Sequence, residues 1–302
     1  MPQTAKSGVV ASISASVIFG LISLLTSELS AFTSEVVAAW RVVCIVALMA
    51  VFFTGHRDWE MIGRLIRRIV RDPRRLLVLL GCSMMVTAQI WVFIWGPMHG
   101  HALDVSLGYF LMPLVVVAAG RFLFKDRLDR WQWAAVALAA VAVIIEALIV
   151  GGFSWPTALV GFGYPIYFAV RRAADMDDVR VFWLEMLLAT PFAVWLLLQS
   201  DVAGALAHQP GSAWWSFVAL GVLSGVAMML YILASGRLNL TVFGMLSYLE
   251  PVLLFAAALL LGEQLLTSDL FVYTVIAAAL ACMLISGLLP LLRRGRAARR
   301  LR

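Results

Sequence analysis

The chain contains the stretch SLGYFLMPLVVVAAGRFLFKDRL at residues 106–128 and a second version of it, GMLSYLEPVLLFAAALLLGEQLL, at residues 244–266. Each has an aromatic residue, Leu, one variable residue and Pro, followed by a long apolar run and then an acidic residue. Pro113 matches Pro251, and Asp126 matches Glu263 after a slip of one residue. Such internal similarity indicates that the chain is built from two related halves.

The composition indicates that both halves lie in a lipid bilayer. Hydrophobic residues make up 63% of the 302 residues and charged residues only 13%, whereas soluble domains carry about 25% charged residues. A helix needs about 20 apolar residues to cross a bilayer, and long continuous runs of this kind exclude a membrane β-barrel. The sequence predicts an all-α integral membrane protein with ten spans, at residues 8–27, 34–54, 76–95, 104–121, 131–150, 157–171, 181–199, 213–236, 242–262 and 269–290.

The basic residues predict the orientation of these spans. If the N-terminus is cytoplasmic, all 23 Lys and Arg residues except Arg41 fall in segments on the cytoplasmic side. By the positive-inside rule, both termini are then cytoplasmic. We therefore expect a multi-pass protein of the bacterial inner membrane. The net charge of +6 reflects this topology and contact with anionic lipid, and we do not expect nucleic-acid binding.

The two similar stretches fall in spans four and nine, which predicts an inverted repeat. Span nine follows span four by five spans, and because five is odd, the second half must be inverted relative to the first. We expect a first repeat at residues 1–150, with an amphipathic helix at the membrane surface at about 57–72, and a second at 151–290. A basic cytoplasmic tail follows at 291–302. A five-plus-five inverted repeat is typical of transporters, whose substrate site lies near mid-membrane between the halves.

Short motifs along nearly the whole chain carry a resemblance to a known family. They are Phe19-Gly20, Glu35 with Arg41, Phe93-Ile94-Trp95, Ser106-Leu107-Gly108-Tyr109-Phe110 with Pro113, Gln132-Trp133, Tyr167 with Arg171-Arg172, Glu185 with Pro191, Arg237 with Thr241 and Gly244, and Tyr248 with Pro251. With these motifs the chain resembles the drug/metabolite transporter superfamily with two EamA-type repeats, and within it the RarD-like branch. The resemblance implies a central cavity lined by spans three, four, six, eight and nine, and export of amino acids, other small metabolites or drugs.

The chain departs from the branch at three places. Met112 stands where the branch usually has Asn before the span-four proline. Gln89 stands in place of an Asn in span three, and Lys125-Asp126-Arg127 replaces the usual Gly-Glu-Arg. The resemblance therefore implies the fold without implying one particular substrate.

Ionisable residues inside the predicted spans are the sharpest candidates for function, because each costs about 2.5–3.5 kcal/mol at mid-span. Arg41 lies about 10 Å into its span. It either binds a carboxylate or phosphate of the substrate or pairs with Glu35 or Glu185, and we favour the pair because intramembrane charges usually pair. Glu250 lies about 12 Å deep. It either carries a coupling proton or supports the bend at Pro251, and the sequence does not decide between these roles.

Polar and aromatic residues on the spans that the resemblance places around the cavity are candidate substrate contacts, together with Arg41 and Glu250. An aromatic wall with few charges suits an amphipathic small molecule, although packing and the aromatic belt at the membrane surface explain many such residues. Pro113 with Gly108 and Pro251 with Gly244 predict a flexible helix at matching places in both halves. The predicted cavity residues are Gln89, Trp91, Trp95, Tyr109, Phe110, Tyr164, Tyr167, Tyr231 and Tyr248.

Together these features predict a secondary transporter, with export expected from the resemblance, that moves a small organic metabolite or drug-like solute by alternating access. The alternatives are a membrane-embedded enzyme, a channel and a non-transporting sensor. We find no phosphate loop, nucleophile elbow or paired Cys/His spacing, so we predict no enzyme activity, cofactor or metal. The expected partners are the small-molecule substrate, a possible coupling proton and membrane lipid, and a monomer is compatible with the sequence.

Overall fold

The structure is a computed structural model that describes residues 3–26, 29, 32–150, 154–207 and 211–260, and residues 274, 275, 277–279, 281, 282 and 285 beyond them. Within these ranges the regular secondary structure is helical. The helices are α1 (Gln3–Thr26), α2 (Ser34–His56), α3 (Trp59–Val70), α4 (Pro73–Met98), α5 (Ala102–Phe122), α6 (Arg130–Val150), α7 (Trp155–Ala173), α8 (Val179–Gln199), α9 (Val202–Ala207), α10 (Gly211–Arg237), α11 (Leu240–Ser247) and α12 (Leu249–Leu260).

Six of these helices contain stretches long and apolar enough to cross a membrane, and they lie in α1, α2, α4, α5, α8 and α10. They coincide with predicted spans one to four, seven and eight, so the chain is a multi-pass membrane protein. Predicted spans five, six and nine correspond to α6, α7 and the pair α11–α12. Apart from the few residues named above, predicted span ten (269–290) and the tail (291–302) lie outside the described residues. The count of ten spans therefore stays a prediction.

The connection between α2 and α4 contains the predicted amphipathic helix. This helix, α3, ends at Val70, and Pro73 then opens α4, where its missing N–H is not needed. Ile62 and Ile69 are buried on one face, whereas Arg64 and the other arginines of the helix face outward. The sequence missed the short helix α9, whose six residues are too few to show a periodic pattern.

The packing of the helices repeats between the two halves. If α1, α2, α4 and α5 are matched with α7, α8, α10 and α11–α12, each contacting pair has a counterpart. The pair α1–α10 corresponds to α7–α4, the pair α5–α7 to α11–α1 and α12–α1, and the pair α2–α10 to α8–α4. Helices α2 and α5 also contact their own counterparts, α8 and α11. These contacts bring the halves together along a shared interior face.

The two helices that carry the repeated stretch differ in one respect. Helix α5 continues through Pro113, whereas the helix of predicted span nine is interrupted at Tyr248, between α11 and α12. Pro251 explains the interruption, because it has no N–H for the carbonyl of Ser247 and its ring crowds that carbonyl. The Tyr248 N–H instead bonds to the carbonyl of Met245, at 3.3 Å.

The glycines beside these prolines lie where helices approach closely. A Cβ atom at Gly108 would lie 2.6 Å from Cβ of Val160 on α7, and one at Gly244 would lie 2.7 Å from Cγ1 of Val116 on α5. Both distances are shorter than any normal carbon–carbon contact. Glycine therefore permits the crossings of α5 with α7 and with α11, and the hinge role expected from the sequence stays a prediction.

Candidate functional site

A small cavity lies in the interior between the two halves. It offers about 10 Å³, which is room for about one water molecule. Six of the predicted site residues line it, and Phe19, Ile90 and Phe93 complete the lining. The six are Arg41, Gln89, Tyr109, Tyr164, Tyr231 and Glu250.

Arg41 supplies the positive charge of this cavity. The residue is 3% exposed, its Nε donates to Oγ of Ser224 at 3.0 Å, and its guanidinium carbon lies 5.2 Å from the centre of the Phe93 ring. Its Nη1 has no hydrogen-bond partner among the described residues. A buried N–H group without a partner is costly, so this donor is available to a group that enters the cavity.

The expected ion pair between Arg41 and Glu35 or Glu185 is not found in the described part of the chain. Glu35 instead accepts a hydrogen bond from Nε1 of Trp91 at 3.2 Å, and Glu185 pairs with Arg171 at 2.8 Å. The prediction that Arg41 pairs with Glu35 or Glu185 was therefore wrong. The sequence could not reveal this, because Arg171 was assigned only to the basic end of span six.

Glu250 is the acidic side chain of the cavity. It is 4% exposed and lies in the first turn of α12, because the chain breaks at Tyr248. The positive end of the helix dipole favours a carboxylate at this position. Arg41 and Glu250 line the same cavity, but no ion pair within 4 Å joins them among the described residues.

Three tyrosines and two phenylalanines surround these charges. The ring centres of Tyr164 and Tyr231 lie 6.3 Å apart, and Phe19 meets Tyr231 edge to face at 5.7 Å. The Phe93 ring likewise meets Tyr109 edge to face, at 5.8 Å. The cavity thus combines one guanidinium and one carboxyl group with the faces and edges of aromatic rings.

Gln89 connects the cavity to the crossing helix α7. Its Nε2 donates to the carbonyl of Leu159 at 2.6 Å, while its Oε1 has no partner in the described residues. Phe93 lies one turn further along the same face of α4. The four-residue spacing from Gln89 could have indicated that Phe93 also faces the cavity. From the sequence, Phe93 was named only as part of a family motif.

Tyr167 was expected in the cavity wall but belongs to a second buried cluster. Its hydroxyl donates to Oε2 of Glu185 at 2.7 Å and also contacts Nη1 of Arg171. The same carboxylate oxygen accepts from Nη1 of Arg171 at 2.8 Å, and both charged side chains are 0% exposed. Nη2 of Arg171 donates to the carbonyls of Met176 and Asp178, at 3.1 and 2.8 Å. This cluster fixes α7, α8 and the loop between them.

The remaining predicted cavity residues lie elsewhere. Trp91 and Trp95 pack together with Trp155, and the Trp95 and Trp155 ring centres are 4.9 Å apart. Phe110 and Tyr248 belong to an apolar cluster with residues of α6. These four residues were predicted because they are aromatic and lie on the spans expected around the cavity. Their side chains instead pack in contacts between helices.

Comparisons with known proteins agree with this architecture. The family model of the EamA-like transporter family matches residues 6–148 and again residues 156–286. An uncharacterized transporter of Pasteurella multocida is 34% identical over 95% of this chain and 98% of its own length. The chloramphenicol-sensitive protein RarD of Pseudomonas aeruginosa is 35% identical over 88% of this chain and 89% of its own.

A solved crystal structure shares the fold, with a TM-score of 0.69 and 19% identity over 92% of this chain and 95% of that one. Together with the two matches of the family model, this agreement covers nearly the whole chain. The chain therefore belongs to the EamA-like transporter family, within the drug/metabolite transporter superfamily.

Proposed function

We propose that this protein is a secondary transporter of a small zwitterionic solute, such as an amino acid with an aromatic or apolar side chain, and that it works by alternating access. The observation that carries the proposal is the presence of one basic and one acidic side chain, Arg41 and Glu250, that line the same buried cavity without forming an ion pair. The family supplies the transporter function, and the cavity supplies the chemistry of the substrate.

The charges suit the two ends of a zwitterion. A carboxylate accepts strong charge-assisted hydrogen bonds from a guanidinium, and Nη1 of Arg41 is the free donor. An ammonium group is attracted both to the Glu250 carboxylate and to the faces of aromatic rings. Tyr109, Tyr164 and Tyr231 line the same cavity, so the substrate side chain would contact apolar ring surface.

The size and position of the cavity support alternating access. A metabolite needs a site of about 300 Å³ or more, whereas this cavity holds about 10 Å³. The halves must therefore separate on one side before a substrate enters. The repeated packing pairs and the two matches of the family model support the inverted repeats at 1–150 and 151–290, the architecture in which such rocking occurs.

We place the protein in the bacterial inner membrane with ten spans and both termini in the cytoplasm, on the distribution of its basic residues. The transporter is an exporter, on family resemblance. A proton and the substrate ammonium would compete for the Glu250 carboxylate, so protonation on one side would release the substrate there. Such competition would couple transport to a proton gradient.

The test is ligand-induced thermal stabilisation of the purified full chain in detergent, because a ligand that binds the folded state raises the melting temperature. Phenylalanine is compared with its methyl ester, which lacks the carboxylate, and with N-acetylphenylalanine, which lacks the ammonium. Leucine, a phosphorylated sugar and chloramphenicol complete the panel. The proposal expects stabilisation by a free amino acid and by neither blocked form.

Variants identify the site in the same assay. Arg41→Gln and Glu250→Gln should each abolish the stabilisation, whereas Arg64→Gln and Glu60→Gln make the same changes on the exposed face of α3 and should preserve it. Hits are then confirmed by flux into liposomes with and without a pH gradient. Equal stabilisation by the amino acid and its blocked forms would overturn zwitterion recognition, and stabilisation by chloramphenicol alone would replace it with an uncharged drug.

A further inference from the structure

A second and larger cavity lies between α2, α4 and α8, on the other face of α2 and α4 from the central cavity. It has a volume of about 370 Å³ and is open to the surroundings of the protein. Five alanines from the three helices form its floor, and Phe192 and Leu196 stand on one side. The alanines are Ala38, Ala39, Ala88, Ala189 and Ala193. We refer to this cavity as the lateral groove.

The lateral groove faces the membrane. On α8, Leu188, Phe192 and Trp195 are 46%, 62% and 53% exposed, and α8 is one of the helices long and apolar enough to cross a bilayer. Exposed apolar side chains on a spanning helix contact lipid tails. The groove is therefore an indentation in the surface that meets the hydrocarbon.

The tenth predicted span does not cover this surface at the position that the structure describes. Val275 packs against the apolar cluster of Phe110, Tyr248 and α6. That cluster lies on α5 and α6, whereas the groove lies on α2, α4 and α8. The exposed apolar side chains of α8 around the groove favour a lipid molecule as its occupant.

One end of the lateral groove is charged. Glu35 lies in the first turn of α2, and Nε1 of Trp91 donates to its Oε1 at 3.2 Å, which holds the carboxylate at the mouth of the groove. From Glu35 to Val42 the lining follows α2 for seven residues, or about 10 Å. The Glu35 end lies where a span begins, and tryptophans are typical of that level of the bilayer.

Beyond Glu35 the lateral groove is lined mainly by apolar side chains. Thr87 lines it one helical turn from Trp91, but its Oγ1 is buried and does not face the open space. The order from the mouth inward is therefore a carboxylate and then an alanine-lined apolar slot. A phospholipid has the matching order of a polar head group and an acyl chain.

We propose that the lateral groove binds one acyl chain of a phospholipid whose head group carries an ammonium, as in phosphatidylethanolamine, with the ammonium against Glu35. The carboxylate attracts the ammonium and repels the net negative head group of phosphatidylglycerol. The site is separate from the proposed substrate cavity. Its occupancy does not depend on what the protein transports.

The experiment is native mass spectrometry of the full chain, delipidated in detergent and titrated with phosphatidylethanolamine or phosphatidylglycerol that carry identical acyl chains. We expect one tightly bound phosphatidylethanolamine per chain and a preference of about tenfold over phosphatidylglycerol, which corresponds to about 1.4 kcal/mol. Equal binding of the two lipids, or occupation of this face by a second copy of the chain, would overturn the proposal.

Variants assign the bound lipid to the lateral groove. Ala189→Phe fills the slot and should remove the bound lipid. If the phenylalanine prevents folding, the smaller replacement Ala189→Leu takes its place and should also reduce lipid binding. Glu35→Gln should keep lipid bound but lose the preference. Ala137→Phe, on the exposed face of α6, and Glu60→Gln are the matched controls. A folded Ala189 variant that retains the lipid as the wild type does would refute the site.

Discussion

Arg41 and Arg171 are both buried in this membrane protein, but their surroundings are opposite. Arg171 is 0% exposed, and its two terminal nitrogens bond to Glu185, Tyr167 and two backbone carbonyls. Arg41 is 3% exposed, bonds through Nε to Ser224, and has a free Nη1 beside a cavity. Burial alone therefore does not identify a functional charge. The partners of the charge distinguish a structural arginine from one that is free to bind a ligand.

The largest expected effect comes from breaking the Arg171 cluster. Glu185→Ala leaves the Arg171 charge buried without its acid, and removal of one partner of a buried ion pair typically costs about 3–5 kcal/mol. We expect a marked loss of monodisperse protein in size-exclusion chromatography and a lower melting temperature for what remains.

The double variant Arg171→Met with Glu185→Leu provides the control for this experiment. Apolar replacement of both members of a buried pair is often close to neutral, so the double variant should recover much of the lost stability. If Glu185→Ala behaves like the wild type, the cluster is not what fixes α7 to α8, and the contrast between the two arginines disappears.

The next largest expected effect is a loss of substrate affinity when Arg41 is replaced. Arg41→Gln removes a charge that has no acid in contact with it, so the melting temperature without ligand should stay at or above the wild-type value. Hydrogen bonds to charged groups contribute about 1.5–3 kcal/mol, so the affinity for a carboxylate-bearing substrate should fall about 10- to 100-fold. Thermal unfolding measures the melting temperature and isothermal titration calorimetry measures the affinity. A variant that unfolds instead would show that Arg41 is structural.

The sequence predicted the spanning helices because the signal is local. A bilayer requires a minimum length of apolar chain, and residues 34–54 or 181–199 meet it without reference to anything distant. The helices α2 and α8 begin and end within about two residues of those limits. The repeat was visible for the same reason, since Pro113 and Pro251 stand in matching local contexts.

The distribution of partners was not predictable, because it depends on how the helices pack. Arg171 and Glu185 are 14 residues apart, and only the fold of the loop at 174–178 brings the guanidinium to the carboxylate. The same packing leaves Arg41 without an acid in contact. Tyr164 and Tyr167 are three residues apart on one helix, yet Tyr164 lines the cavity and Tyr167 joins the structural cluster.

Tyr167→Phe tests the contribution of one hydroxyl to the Arg171 cluster. It removes one hydroxyl that bridges Arg171 and Glu185 but leaves the ion pair and the ring in place. Loss of a hydrogen bond to a charged group should lower the free energy of unfolding by about 1.5–3 kcal/mol, with substrate affinity unchanged. Tyr164→Phe is the matched control, since Tyr164 lines the cavity, and it should alter affinity more than stability. The reverse result would place the substrate at the Arg171 cluster.

The smallest effect is expected from Ser224→Ala, which tests how Arg41 is positioned. Ser224 accepts from Nε of Arg41 at 3.0 Å and lies outside the lining of the cavity. Without it the guanidinium keeps its contact with Phe93 but loses a fixed orientation, at a cost of about 1 kcal/mol or a few-fold in affinity. In the Arg41→Gln background the same change should have no further effect on affinity, because the serine acts through the arginine. Additive losses of affinity in this double-mutant cycle would mean that Ser224 contacts the substrate directly. The hydrogen bond to Ser224 would then not explain how Arg41 is held, and the contrast with Arg171 would be weaker.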